Sequence, residues 1–228
     1  MTFLELVQEL HDISGATSVA PRATVGQQGQ AGRLVRWVAA ADFNWQSRWE
    51  NWAFLFKRTA NAFRLTAGGV TAPPADLRTW DQTTFMIRET PADAWQPLQA
   101  ARYEEIKGDV SWADDEEGFP YAVSVLPNRS LQFYPPPGRD YLLRADYFRK
   151  PVRLINPADV PLIPEEYHST VIIGSALMYY GYFSDAREII QQGQDLVSQG
   201  RAQLESHELP SNGEWFMGQS FQIGEQRY

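Results

Sequence analysis

Cysteine is absent from the 228 residues, which excludes disulfide staples and thiolate metal sites and leaves the fold compatible with a reducing cytoplasm. Lysine is scarce, occurring at Lys57, Lys107 and Lys150 alone, so arginine carries most of the positive charge. The three histidines, His11, His168 and His207, are scattered. No apolar run reaches the 20 or so residues that span a bilayer, so no membrane segment is expected. The opening MTFLELVQEL lacks a basic n-region, and no secretory signal is predicted. A net charge of −8 and a pI near 4.9 disfavour tight binding of a phosphate backbone, which needs clustered cations. No G-x-S-x-G elbow, phosphate-binding loop or H-E-x-x-H pair occurs. Glu165-x-x-His168 has the spacing of one half of a di-iron carboxylate site, but such a site needs two such pairs. No catalytic residue, metal or cofactor is predicted, and the chain is not expected to be an enzyme.

What is present points to packing surfaces. Aromatic residues make up 13% of the chain and include 8 Trp; with abundant arginine, that composition suits interface cores as well as a Trp-rich monomer core. The densest stretch is PLIPEEYHSTVIIGSALMYYGYF, from Pro161 to Phe183. Pro164 suits the first helical position, and Glu165 and Glu166 set negative charge against the positive end of the helix dipole. From Val171 the run is apolar on nearly every face, which requires protein on several sides. Gly174, Ser175 and Ala176 remove bulk, so a neighbouring backbone can approach closely. Ser184 reads as the N-cap of the next helix, where Ala186, Ile189, Ile190, Gly193, Leu196, Val197, Gly200 and Leu204 form one stripe.

Elsewhere the pattern changes along the chain. Thr2 and Glu5 form a capping box for a first helix with the stripe Phe3, Leu6, Val7, Leu10 and Ile13, ending at Gly15. Residues 16–31 read as an extended loop. A second helix is predicted through RLVRWVAAADFNWQSRWENW, with Leu34, Val38, Ala41, Trp45, Trp49 and Trp52 on one face. Tryptophans on such a stripe suit core or subunit packing far better than a carbohydrate platform, because each removes a large apolar area from water. From Lys57 to Lys150 alternating segments separated by Pro, Gly and Asn turns predict antiparallel strands, with YAVSVLPNRSLQFY as a hairpin. Asp114, Asp115, Glu116 and Glu117 lack the alternating spacing of a calcium loop and read as a solvated acidic loop.

The expected fold is therefore α+β: a mainly helical bundle domain of about four helices, over residues 1–56 and 151–206, interrupted by an antiparallel β insertion over 57–150. An extended C-terminal arm is expected over 207–228, with Trp215, Phe216 and Met217 as a compact anchor and Phe221 and Ile223 two apart. Trp45, Trp49, Gly174, Tyr179, Tyr180, Gly193 and Gly200 are the candidates for helix packing or a subunit interface.

At residues 131–183 the order of pieces becomes specific: LQFYPPPG, then YLLRADYFRKPVRL, then the turn DVPLIPEEYH, then the helix ALMYYGYF. This resembles the head-to-tail adaptor (connector) proteins of tailed bacteriophages, and TFLELVQEL followed by GRLVRWVAAADFNWQ is similar to their first two helices. The resemblance implies a structural protein at the portal vertex of the virion, made in the host bacterial cytoplasm. It implies a homo-oligomeric, dodecameric ring that docks under the portal protein and extends the DNA channel without binding DNA specifically. A tail or nozzle protein would dock below, and the terminal aromatic arm would bind the portal. Two other classes are compatible with the residues: a neck protein completing the head of a long-tailed phage, and a glycan-binding tail component.

Overall fold

Thr2 starts the first helix as its chemistry requires. Its hydroxyl accepts from the Glu5 amide at 3.4 Å, the Glu5 carboxylate accepts from the Thr2 amide at 2.8 Å, and α1 runs over Phe3–Ser14 to a left-handed Gly15 at φ 66. Phe3, Leu6, Val7 and Leu10 are buried, whereas Ile13 turns out to solvent. The structure is a computed structural model that describes residues 1–16, 19–59, 63–67, 70–102 and 117–210.

Helix α2 covers Gly29–Arg48, beginning earlier than the apolar stripe suggests and stopping before its end. Leu34, Val38, Ala41 and Trp45 face inward. Trp49, expected on the same stripe, is the extended residue that terminates the helix and is 43% exposed. Trp52 is buried from beyond the helix, its indole N–H donating to the Trp45 carbonyl at 3.0 Å.

The Pro161–Phe183 stretch is less regular than one α-helix. Pro164 is the extended residue before the turn Glu165–Tyr167, not the first helical residue. A π-helical segment follows over His168–Ile173, and only then α3, Gly174–Ser184. Thr170 to Ile173 are four β-branched residues in succession, which weakens the preference for a regular α-helix there. Ser184 is the last residue of α3 rather than a cap for the next helix. Asp185, at φ 53, ends α3, and α4 occupies Arg187–Glu208. His207 and Glu208, assigned by sequence to the terminal arm, thus belong to α4.

Between these helices lie ten short strands among the described residues. One sheet orders β1 (Phe56–Lys57), β10 (Tyr147–Arg149) and β3 (Leu77–Trp80). A second orders β2 (Phe63–Leu65), β9 (Tyr141–Arg144), β4 (Met86–Arg88) and β5 (Gln96–Pro97). A third orders β6 (Gln99–Ala101), β7 (Ala122–Val125) and β8 (Leu131–Tyr134). The β7–β8 hairpin pairs Val123 with Phe133 across a turn in which the Asn128 side chain accepts from the Ser130 amide at 3.0 Å. YLLRADYFR is two strands in two sheets. At the break the buried Asp146 accepts from the Thr59 amide at 2.9 Å, and its own amide donates to the Thr84 hydroxyl at 2.9 Å.

The expected helical bundle with an antiparallel insertion is corrected by these observations. Among the described residues the chain is an α+β protein of four helices and three sheets of three to four strands, in which strands make up a large share. One pairing, β6 with β7, is parallel. The strands hold a core of their own around Leu65, Trp80, Ile87, Val123, Phe133 and Leu143. Elements of two to four residues are too short to display a period of two, so the alternation along the sequence does not resolve them one by one. Two compact units result: Met1–Leu55 with the chain from Pro151 onward, and Phe56–Lys150.

Candidate functional site

The strongest convergence of sequence-predicted residues lies among α2, α3 and α4. It begins with small residues. A Cβ on Gly193 would come within 2.7 Å of the Gly174 carbonyl oxygen and 3.0 Å of the Met178 amide, so α3 and α4 touch backbone to backbone. Gly200 rests likewise on the Thr170 side chain. Gly costs roughly 1 kcal/mol against Ala within a helix, a loss that the closer packing of the two helices offsets.

Trp45 enters this packing from α2, its indole N–H donating to the Ser175 hydroxyl at 2.8 Å. A groove of about 420 Å³ lies beside it, lined by Asn44, Ser47, Arg48, Met178, Tyr179 and Val197 among others. Asn44 donates to the Tyr179 hydroxyl at 3.2 Å. The Arg48 guanidinium lies 5.0 Å from the Trp45 ring and reaches Glu205 at 3.4 Å. Further along α2, Trp37 meets Tyr180 edge-on at 6.0 Å and Phe183 at 5.7 Å, and the Arg33 guanidinium covers Phe183 at 4.1 Å. Tyr182 and Phe183 remain 62% and 54% exposed. The apolar run from Val171 is therefore enclosed only in its first half. Its second half offers aromatic surface edged with arginine, the composition of protein interface cores.

The candidates thus divide. Trp45 and Tyr179 line one groove, Tyr180 packs on Trp37, and Gly174 and Gly193 meet each other. Trp49 lies outside the groove and points its indole N–H toward Glu205 at 3.5 Å. Trp215, Phe216, Met217, Phe221, Ile223, Asp114, Asp115 and Glu116 lie outside the described residues, while Glu117 is exposed beside Gly138. Sequence reasoning missed Arg33, Trp37 and Phe183. The signal was available as the stripe Arg33, Trp37, Asn44, Arg48 on the flank of α2 beside the apolar face.

Two buried polar groups complete the helical unit. Asp42 accepts from the Gln46 side chain at 2.7 Å, and Gln46 in turn clasps the backbone of Val152, accepting at 2.9 Å and donating at 3.1 Å. Burial pushes the Asp42 carboxyl up to about 7. His168 donates from Nε2 to the Ile163 carbonyl at 2.8 Å, and burial holds its pKa down, so it is neutral. Glu165 instead reaches the Met1 amino group at 2.7 Å, so Glu165 and His168 do not converge as metal ligands. Among the described residues no group of three or more His, Asp or Glu side chains could hold a metal ion, and no helix is long and apolar enough to cross a membrane. The indoles of Trp45 and Trp52 are buried and bonded within the protein, which removes both from any carbohydrate platform.

A family model described as SU10 adaptor protein matches residues 1–212. No curated protein matches the chain.

Proposed function

We propose that this chain, which belongs to the SU10 adaptor protein family, forms a ring beneath the portal of a filled phage capsid. The family is one of phage head-to-tail adaptors, structural proteins of the virion neck. Within that role, the ring is dodecameric, docks on the portal, continues the DNA channel and provides the platform on which the next tail component assembles. DNA passes through and is released at ejection without specific contacts. A net charge of −8 supports that part of the reading, because an acidic wall repels a duplex and lets it slide. The observation that carries the proposal is the family match over residues 1–212. The exposed aromatic and arginine surface on α2 and α3 adds to it, since a lone subunit has no use for such a surface.

The segment 211–228 is the portal-binding arm in this proposal, with Trp215, Phe216 and Met217 as the anchor that fills a portal pocket. The test mixes purified chain with portal rings of the same phage and images the product. Rings seated on the portal are expected, and portals left bare at saturating chain would refute the reading. Truncation after Pro210 keeps α4 entire, including the contact of 2.6 Å between the Tyr167 hydroxyl and His207. That variant should melt like the parent yet lose portal capture. Full capture by the truncated chain would remove the arm from the mechanism.

A further inference from the structure

We propose that successive copies in the ring join through two different helix faces, α4 of one copy against α2 of the next. This rests on the ring reading above and adds which surfaces meet. At 3.6 residues per turn, Arg33, Arg36, Trp37, Asn44, Ser47 and Arg48 share one broad stripe of α2 that flanks the buried Leu34, Val38, Ala41 and Trp45, with Arg36 and Ser47 turned furthest from them. That stripe carries three arginines and no acid of its own, the one acid in α2, Asp42, being buried; within the chain Arg48 reaches Glu205 and Arg33 covers Phe183, which leaves Arg36 as the outward cation. Arg36 is exposed and has no charged partner among the described residues.

Helix α4 has the opposite character. From Glu188 to Gly200 it contains two carboxylates and no cation. Glu188, Gln191, Gln192, Asp195 and Gln199 surround the half-buried Leu196 in a shallow depression. Gln191 donates to Asp195 at 2.9 Å, and neither Glu188 nor Asp195 has a cation partner among the described residues. Val197, which lines the groove beside α2, stands nine residues beyond Glu188, about half a turn around the helix axis. The acidic face of α4 therefore points away from α2 of its own subunit.

Two distinct, complementary patches on one subunit define a head-to-tail contact, the kind that builds a ring when its rotation closes, as it does where the portal sets the symmetry. Pairing either face with itself would set arginine on arginine or carboxylate on carboxylate, which electrostatic complementarity disfavours. Aromatic residues beside arginine on the α2 side, and a small apolar centre in a polar surround on the α4 side, match the core and rim of an interface.

The absence of cysteine makes the test clean. Full-length chain carrying both Ser47→Cys and Gln192→Cys is assembled on portal and treated with a short bis-maleimide. A ladder of covalent oligomers is expected, whereas an equimolar mixture of the two single variants should stop at dimers and each single variant alone should give none. Arg36→Glu should lower the yield of portal-bound rings by about tenfold or more, and adding Asp195→Arg in the same chain should restore it. Both positions are exposed, so the melting temperature of the free chain reports that the fold is intact. Rings that form without cross-links, or cross-links within the Ser47→Cys variant alone, would overturn the face assignment and leave the ring standing. Wild-type chain that binds portal only as separate single copies would overturn both.

Discussion

Asp42 is the residue whose protonation the fold changes most visibly. Its side chain is buried without a cation, one oxygen accepts from Gln46, and the other has no hydrogen-bond partner. Loss of water disfavours the carboxylate, so the folded chain keeps the proton up to about pH 7, while the unfolded chain releases it near the ordinary 3.8. The native state therefore holds more protons across that interval, and stability contributed here falls as pH rises from about 4 to about 7. His168 works in the other direction, since its lowered pKa lets stability rise with pH up to its ordinary 6.5. Comparing Asp42→Asn with the parent cancels the histidine. The melting temperature of the variant relative to the parent should climb through pH 4–7 and level off above, by a difference worth at most about 4 kcal/mol. Thermal melts at a series of pH values decide it, and a pH-independent difference would refute the assignment.

Among the elements, the α3–α4 pair and the joint between two sheets are the places where one atom matters. Ala normally improves a helix by roughly 1 kcal/mol over Gly, yet at Gly193 its Cβ would meet the backbone of Gly174 and Met178 within 3.0 Å. Gly193→Ala should lower stability by about 1–3 kcal/mol, the usual result of overpacking. Ser198→Ala, on the exposed side of the same helix, should stay within about 0.5 kcal/mol. Equal melting of the two variants would mean that α3 and α4 are further apart than described. Asp146 stands where β9 hands over to β10. Asp146→Ala leaves the Thr59 amide and hydroxyl without their acceptor, which should cost about 1–3 kcal/mol. Hydrogen exchange should quicken in β9 and β10 and remain unchanged in α1 and α2; uniform quickening would show that the joint is not local.

For the whole molecule, charge and surface pull in opposite directions. The net −8 makes free copies repel one another at long range, while the arginine and carboxylate faces attract only when aligned. The isolated chain is accordingly expected to be mostly monomeric, with the portal supplying the alignment that starts the ring. Native mass spectrometry at micromolar chain checks this, and a stable ring without portal would contradict it. The match to the adaptor family over residues 1–212 extends across both compact units. The strand-rich unit is thus as much a part of the adaptor as the helices.

Features that depend on near neighbours in the chain were determined by the sequence. The Thr2–Glu5 box and Gly15 bound α1 because caps act within one turn. The turn at Asn128 set the β7–β8 hairpin because its hydrogen bonds span two to four residues. The family, too, was legible, in the order of segments from Leu131 to Phe183. Tertiary structure alone decided the rest. It ended α2 at Arg48 and buried Trp52 from outside the helix, divided YLLRADYFR between two sheets at Asp146, and brought Gly174 against Gly193. It also left Phe183 open beside Trp37, although the run that ends in it is apolar on nearly every face. Each of these outcomes turns on contacts between residues far apart in the chain, and periodicity along one segment carries no information about what that segment will meet.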